Sequence, residues 1–593
     1  MIRSIIGFLL LFATLPGWCA EAWLERSDRH SAMAFETLGV FRPEVMSQLG
    51  VERFDRAVMD LRPGVVTRAD AAVRALLRQL ADARKTETDP KVLQDLDILS
   101  ESVARRQRTR NLEYRLLVPY FDLPKELFEG LHVLLDARNP PARREAAVAR
   151  LRGYAGMAGG KPVAQLARER TAERAKVPGL VWPYVREVEQ HLANCERYIR
   201  GMEQLFQAAS LDGWQPAHER LAGQLRGWCD WVRAEVLPRA RPEQPLPPAL
   251  YADRLRDAGV DISPEQAIAL GTAAYAEVRE QMQRLAGQIA RERKLENADY
   301  RAVLRELKRE QVPNERVLPL YRERLKQIEE IVVREKIVTL PRRAAAIRLA
   351  SEAESAAVPA AHMSAPRFVG NKGEIGEFVL PLTNPNAQTS APADDFTCEA
   401  AAWTLTAHEA RPGHELQFAA MVEGSVSMAR ATFAFNSANA EGWGLYAEAI
   451  MLPYFPPDGQ LFGLQLRLLR AARAFLDPLV NLGRMSPAQA KAFLMREVGV
   501  SEPMAQQEAD RYAFVWPGQA VAYLYGYTRM QQLRMKAELA AGAAFDQRSF
   551  HDLVLAQGLL PPELLERAVM AELAPPRPGT SRTRAAPGGG GSR

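Results

Sequence analysis

The chain has 593 residues, 47% hydrophobic and 25% charged, the balance of an ordinary globular protein long enough for two lobes around a large core. Its net charge is only +5, and its arginines alternate with glutamates, as in ERAKVPGL and REVEQHLANCERYIRG. That pattern makes solvated helix faces with i,i+4 pairs and excludes the basic stripe of a nucleic-acid binder.

Residues 1–22 read as a secretion signal. Arg3 gives a positive start, IIGFLLLFATL is an apolar run too short for a comfortable membrane span, and Ala20-Glu21-Ala22 offers an A-x-A cleavage pattern. Cys19 raises a lipoprotein alternative, but the bulky Trp18 stands where that processing site wants a small residue. An uncleaved anchor is the other alternative. The expectation is an exported protein, periplasmic or secreted, without stable membrane insertion once the signal is removed. Cys195, Cys229 and Cys398 then remain. An oxidising compartment permits a Cys195–Cys229 bridge, and buried free thiols fit equally well. No C-x-x-C pair supports a thiolate zinc site.

Residues 23–240 read as helix after helix, with apolar residues every three to four positions in VTRADAAVRALLRQLADARK and PARREAAVARLRGYAG. The proline-rich VLPRARPEQPLPPALY reads as a rigid connector into a second region, 241–574. There, Ser263 is a candidate N-cap for a long helix with Pro264 in its first turn. From Pro366 the texture changes. RFVGNKGEIGEFVLPLTNP alternates apolar positions between glycines and reads as a short β-ribbon, which either offers its edge to an extended peptide or is a structural hairpin. Asp394 and Asp395 mark the start of the next helix, with acid near its positive end. Residues 575–593 are low-complexity and expected to be disordered. The fold class expected is mainly α, with a small β-ribbon.

The stretch TAHEARPGHELQ carries the chemistry. His408 and His414 flank Glu409, and Glu441 follows in AEGWGLYAE. Two neutral imidazoles and a carboxylate are the usual protein ligands of a hydrolytic zinc, and a second carboxylate can take a proton from water. In the common H-E-x-x-H motif the histidines share one helix face; here the second is six residues on, so a straight helix would point the two about 120° apart. Pro412 lacks an N–H and clashes one turn back, Arg411 before it is pushed out of helical angles, and Gly413 is conformationally free. The expectation is a helix broken at Arg411–Gly413, with a second segment starting near Pro412 that swings His414 back to the ion. Two surface histidines beside a helix-ending proline are the alternative.

Other candidates surround this core. Gly442 and Gly444 are expected to let their helix approach the metal helix closely. Glu448 lies on the face of Glu441 and is either an acceptor for a ligand histidine or an ordinary surface carboxylate. Trp443 and Tyr446 read as packing. Tyr523 and Tyr527 fall one turn apart on a helical face; Tyr523 is favoured as a phenol for an oxyanion, with Tyr525 and Tyr527 in reserve and core packing as the alternative. Arg511, grouped with Tyr527 as substrate-binding, could hold a substrate carboxylate or make a structural ion pair. His551 is a possible site residue, a packing residue or a cap.

The segments HEARPGHELQ, EGWGLYAE, WPGQAVAYLYGY and FHDLVLAQGLLPPELLE, in that order, resemble the bacterial family called domain of unknown function 885, over about residues 30–574. The resemblance implies an all-helical, zinc-peptidase-like fold, two helical lobes around a deep channel with the β-ribbon beside the metal helix, similar to oligopeptidases of the thimet and neurolysin type and to angiotensin-converting enzyme. It implies one zinc ion on His408, His414 and Glu441, Glu409 as base and Tyr523 beside the oxyanion. This chain departs from those peptidases by two residues inserted between the histidines. The function expected is a zinc-dependent hydrolase, a metallopeptidase acting on short peptides or another small amide substrate. The alternatives are a non-peptide amide or ester hydrolase and an exported helical binding protein with an inactive metal site.

Overall fold

The computed structural model describes residues 22–573 apart from 243–244, 384, 386–393 and 425. The signal reading, except for Ala22, and the low-complexity tail lie outside the described residues. The chain is mainly helical with one small sheet. No described helix is long and apolar enough to cross a membrane.

Helices form where the sequence period places them. Val65–Thr86 and Pro141–Tyr154 cover the two amphipathic stretches of the N-terminal region. Pro264–Arg293 begins on a reciprocal cap: Gln266 N donates to Ser263 Oγ, and Ser263 N donates to Gln266 Oε1 at 2.8 Å.

Two large apolar clusters hold the molecule together. One joins Phe35, Leu76 and Leu99 of the N-terminal helices to Met282, Trp443, Leu468 and Leu533 far along the chain. The other lies among Leu123–Leu135, Pro141–Tyr154, Val163–Arg174, Val185–Ala208 and Gln215–Trp231. Within it Cys195 and Cys229 form a disulfide, while Cys398 is a buried free thiol. The helix Pro457–Asn481 is buried along most of its length.

The sheet corrects two details. The strands Ala346–Leu349, His362–Ser364 and Glu377–Leu380 form a mixed sheet with Glu377–Leu380 in the centre. The ribbon therefore has a third strand, and Glu377–Leu380 offers no edge to a peptide because both its edges are paired. Asp394 and Asp395 do not open the metal helix, which runs Glu399–Glu409 from an N-cap at Cys398. Both aspartates instead hold Lys308 Nζ, at 3.3 and 2.5 Å.

Candidate metal centre

The helix Glu399–Glu409 stops two residues before Arg411, and a new helix, His414–Glu423, starts right after Gly413. The Arg411–Pro412 peptide between them is cis. The turn folds back so tightly that a Cβ on Gly413 would lie 1.9 Å from the carbonyl oxygen of His408, so only glycine fits. Two contacts fix it. Trp443 Nε1 donates to Pro412 O at 3.0 Å. The buried Arg411 guanidinium pairs with Glu415 and Glu329, each at 2.6 Å, and donates to Arg343 O. The break thus starts a new helix at His414 rather than at Pro412, and it swings the two imidazoles to a common place: their ring centroids are 4.7 Å apart and their planes nearly perpendicular.

Ser437–Met451 brings the third group. It begins on Asn436, whose side chain accepts from Asn439 N at 2.8 Å. Glu441 Oε2 lies 3.5 Å from His408 Nε2 and 3.4 Å from His414 Nε2. It is buried and accepts no hydrogen bond. Ligand atoms on a tetrahedral ion with bonds of about 2.0–2.1 Å are themselves about 3.4 Å apart. Among the described residues, His408, His414 and Glu441 are the group with candidate ligand atoms close enough to share an ion, all within 4.8 Å of one another.

The surroundings favour a cation. Glu409 Oε1 is 4.0 Å from His408 Nε2, and Glu448 Oε1 is 2.7 Å from His408 Nδ1. Burial alone would lower the His408 pKa, but Glu441, Glu448 and Glu409 outweigh it and push the imidazole up to about 9. Burial would likewise raise Glu441, yet the two histidines hold its carboxyl well below the usual range. Three carboxylates face two imidazoles in an enclosed space, so positive charge is wanted there. Glu448 also receives Thr404 Oγ1 at 3.0 Å. It lies against Nδ1 of His408, so Nε2 is the ring nitrogen directed at Glu441.

The glycines of EGWGLYAE do different jobs. Gly444 faces His408, but Gly442 does not face the metal helix: a Cβ there would lie 2.5 Å from the backbone of Gly526, where Ser437–Met451 crosses Val521–Ala541.

The remaining candidates divide. Tyr523 feels the charge of the site: burial and then Glu441 raise its pKa, which keeps the phenol protonated. Its hydroxyl is 3.5 Å from Arg511 Nη1. Arg511 is buried, donates to Gln519 Oε1 at 2.9 Å and sits 3.5 Å from Glu508. Tyr527 does not share Tyr523's surroundings. It accepts from Gln531 and lines another pocket, of about 320 Å³, with Tyr446, Arg467 and Arg534. Tyr525 donates to Asp261. His551 is fully buried, bound to Ile337 O and to the Tyr446 hydroxyl at 2.7 and 2.8 Å. Tyr446 is therefore more than packing. Arg470, Arg473 and Glu508 were missed: they lie in sequence that reads as ordinary helix, and their pairing is long-range.

Residues 43–569 match the family described as bacterial protein of unknown function (DUF885), and the chain belongs to that family. It is similar to two solved structures. One is a candidate lipoprotein of unknown function from Shewanella oneidensis, 18% identical, with a TM-score of 0.70 over 93% of this chain and 100% of the other. The second is a candidate lipoprotein from Colwellia psychrerythraea, 19% identical, with a TM-score of 0.76 over 93% of this chain and 99% of the other. At such identity the likeness shows a shared fold alone. No curated protein matches.

Proposed function

Starting from membership of a family with no assigned activity, we propose that the chain is a metal-dependent hydrolase, a zinc peptidase acting on short peptides. The observation that carries this reading is the spacing of Glu441 Oε2 from the two Nε2 atoms, 3.5 and 3.4 Å, with the Glu409 carboxylate beside them. The H-E…H and downstream glutamate pattern is also the basis of the likeness to thimet-type oligopeptidases and angiotensin-converting enzyme. Export is supported by the presumptive signal and by the two fold relatives described as candidate lipoproteins.

His408, His414 and Glu441 would hold the ion. When bound, zinc supplies Lewis acidity, which lowers the pKa of water and polarises a carbonyl. Glu409 takes a proton from the attacking water and passes it to the leaving amine. The Tyr523 phenol donates a hydrogen bond to the carbonyl oxygen as negative charge develops there. Glu448 keeps the proton of His408 on Nδ1, so Nε2 presents a lone pair. Glu409 is what separates this reading from a binding protein with an idle metal, because a structural site has no use for a general base. The test is cleavage of a peptide library by the unaltered protein and by Glu409→Gln: the first should cleave, and the second should keep its zinc and lose turnover. Undiminished turnover in Glu409→Gln would refute the assignment of the base.

A further inference from the structure

Beside Tyr523 lie three guanidinium groups. Arg473 Cζ is 4.3 Å from the centre of its ring, Arg470 Cζ 5.8 Å and Arg511 Cζ 5.9 Å. All three arginines are more than nine-tenths buried, with exposures of 5%, 6% and 7%. Arginine does not shed its proton, so each charge needs an anion.

Two carboxylates serve these three cations, and neither is free for the task. Glu508 receives Arg473 through two bonds, at 2.7 and 2.6 Å, and Tyr512 through a third at 2.9 Å. Arg511 Nε reaches it only at 3.5 Å. Glu448 is 3.5 Å from Arg470 Nη2, but it is already engaged with His408 and Thr404. Arg470 Nε, Arg473 Nη1 and Arg511 Nε are enclosed and have no hydrogen-bond partner. Glu441, the other carboxylate whose charge Tyr523 feels, is engaged by His408 and His414, so the three guanidiniums are left to Glu508 and Glu448.

Trp516 is 48% exposed, and its ring lies 5.4 Å from Arg511 Cζ. Gln519 and the Tyr523 hydroxyl both lie at Arg511 Nη1, and Arg511 Nη2 has no hydrogen bond among the described residues. A planar anion entering beneath Trp516 would meet the Arg511 Nη2 donor and a phenol, a pair that suits the two oxygens of a carboxylate.

We propose that this cluster recognises a carboxylate of the ligand, with Arg511 in direct contact and Arg470 and Arg473 supplying the field. The inference deepens the peptidase reading and rests on it for the identity of the ligand. Because Tyr523 lies on Val521–Ala541, which crosses the Glu441 helix at Gly526 and Gly442, the recognised carboxylate would lie close to the cleaved bond. It belongs to the substrate's C-terminus or to an acidic side chain near it.

The test is equilibrium binding to the zinc-loaded Glu409→Gln full chain, measured by calorimetry so that nothing need turn over. The probes are acetyl-trialanine, its C-terminal amide, and a C-terminally amidated analogue ending in glutamate. Acetyl-trialanine, the glutamyl amide or both should bind about tenfold or more tightly than the plain amide, as expected for a charge-assisted contact. Which of the two does so identifies the source of the carboxylate. Adding Arg511→Gln should erase the preference, and Arg511→Lys should restore part of it. Equal binding of all three probes, or a preference undiminished in Arg511→Gln, would overturn the proposal. If Arg511→Gln does not fold, the comparison of probes on the intact cluster still decides. A missing preference counts against the carboxylate site alone, whereas absence of cleavage by the unaltered protein counts against the hydrolase reading.

Discussion

Gly444 lies against the imidazole of His408 so closely that a Cβ on it would come within 2.6 Å of Cε1 and 2.9 Å of both ring nitrogens. The ring has nowhere to retreat, because its Nδ1 is held 2.7 Å from Glu448 on the same helix as the glycine. The third candidate ligand, Glu441, and the group that orients the first therefore sit on one helix, and the glycine between them makes room for the ring.

Gly444→Ala should displace His408. Overpacking of this kind costs about 1–3 kcal/mol, so the variant should stay helical and unfold at lower urea. Its zinc affinity, read by competition with a chromophoric chelator, should fall about tenfold or more, because metal sites depend on how their ligands are oriented. Unaltered affinity would mean that the ring does not need its present position.

Glu448→Ala removes the acceptor at His408 Nδ1 and leaves Arg470 with less negative charge. Loss of such a supporting group typically costs about 10–100-fold in metal affinity or activity. The same competition assay checks it, and the variant should still bind one equivalent at saturating metal.

Trp443→Phe keeps an aromatic ring in the core but leaves the Pro412 carbonyl without its indole donor. Stranding a buried acceptor costs about 1–3 kcal/mol. Urea denaturation should show that loss, and bound zinc should stabilise this variant less than the parent, because the turn carries His414.

His551 makes stability depend on pH. Burial lowers its pKa from 6.5 to about 4. The unfolded chain therefore takes up this proton first, and the stability contributed by the neutral imidazole is complete above about pH 6.5 and declines as pH falls toward 4. The span corresponds to about 3 kcal/mol. Urea midpoints for the parent between pH 7 and 4 should fall, and His551→Gln should flatten this part of the slope while lowering stability at pH 7. An identical slope in the two proteins would assign the dependence to other groups.

The local parts of the site were readable from sequence because their causes are local. Pro412 and Gly413 announce a break, and Glu448 shares a face with Glu441 through helical periodicity alone. The capped helix Pro264–Arg293 was equally legible. What failed depends on distant segments. Ala346–Leu349 follows a run of alanines that carries no strand signal, so the Glu377–Leu380 strand looked like one side of a ribbon instead of the middle of a sheet. Asp394 and Asp395 resembled a helix start because their partner, Lys308, is far back in the chain. Gly442 was assigned to the wrong neighbour because Gly526, which it meets, lies on another helix. Arg470 and Arg473 look like solvated residues in LRLLRAARAF, and only the packing of Pro457–Asn481 buries them.

The most direct measurement is the metal content of the purified full chain beside His408→Ala, His414→Ala and Glu441→Gln. The account predicts close to one zinc per unaltered chain and a large loss in each variant, with the helical signal kept. Zinc retained at the parent level in either histidine variant, or no specific metal in the parent even after zinc is supplied, would contradict it.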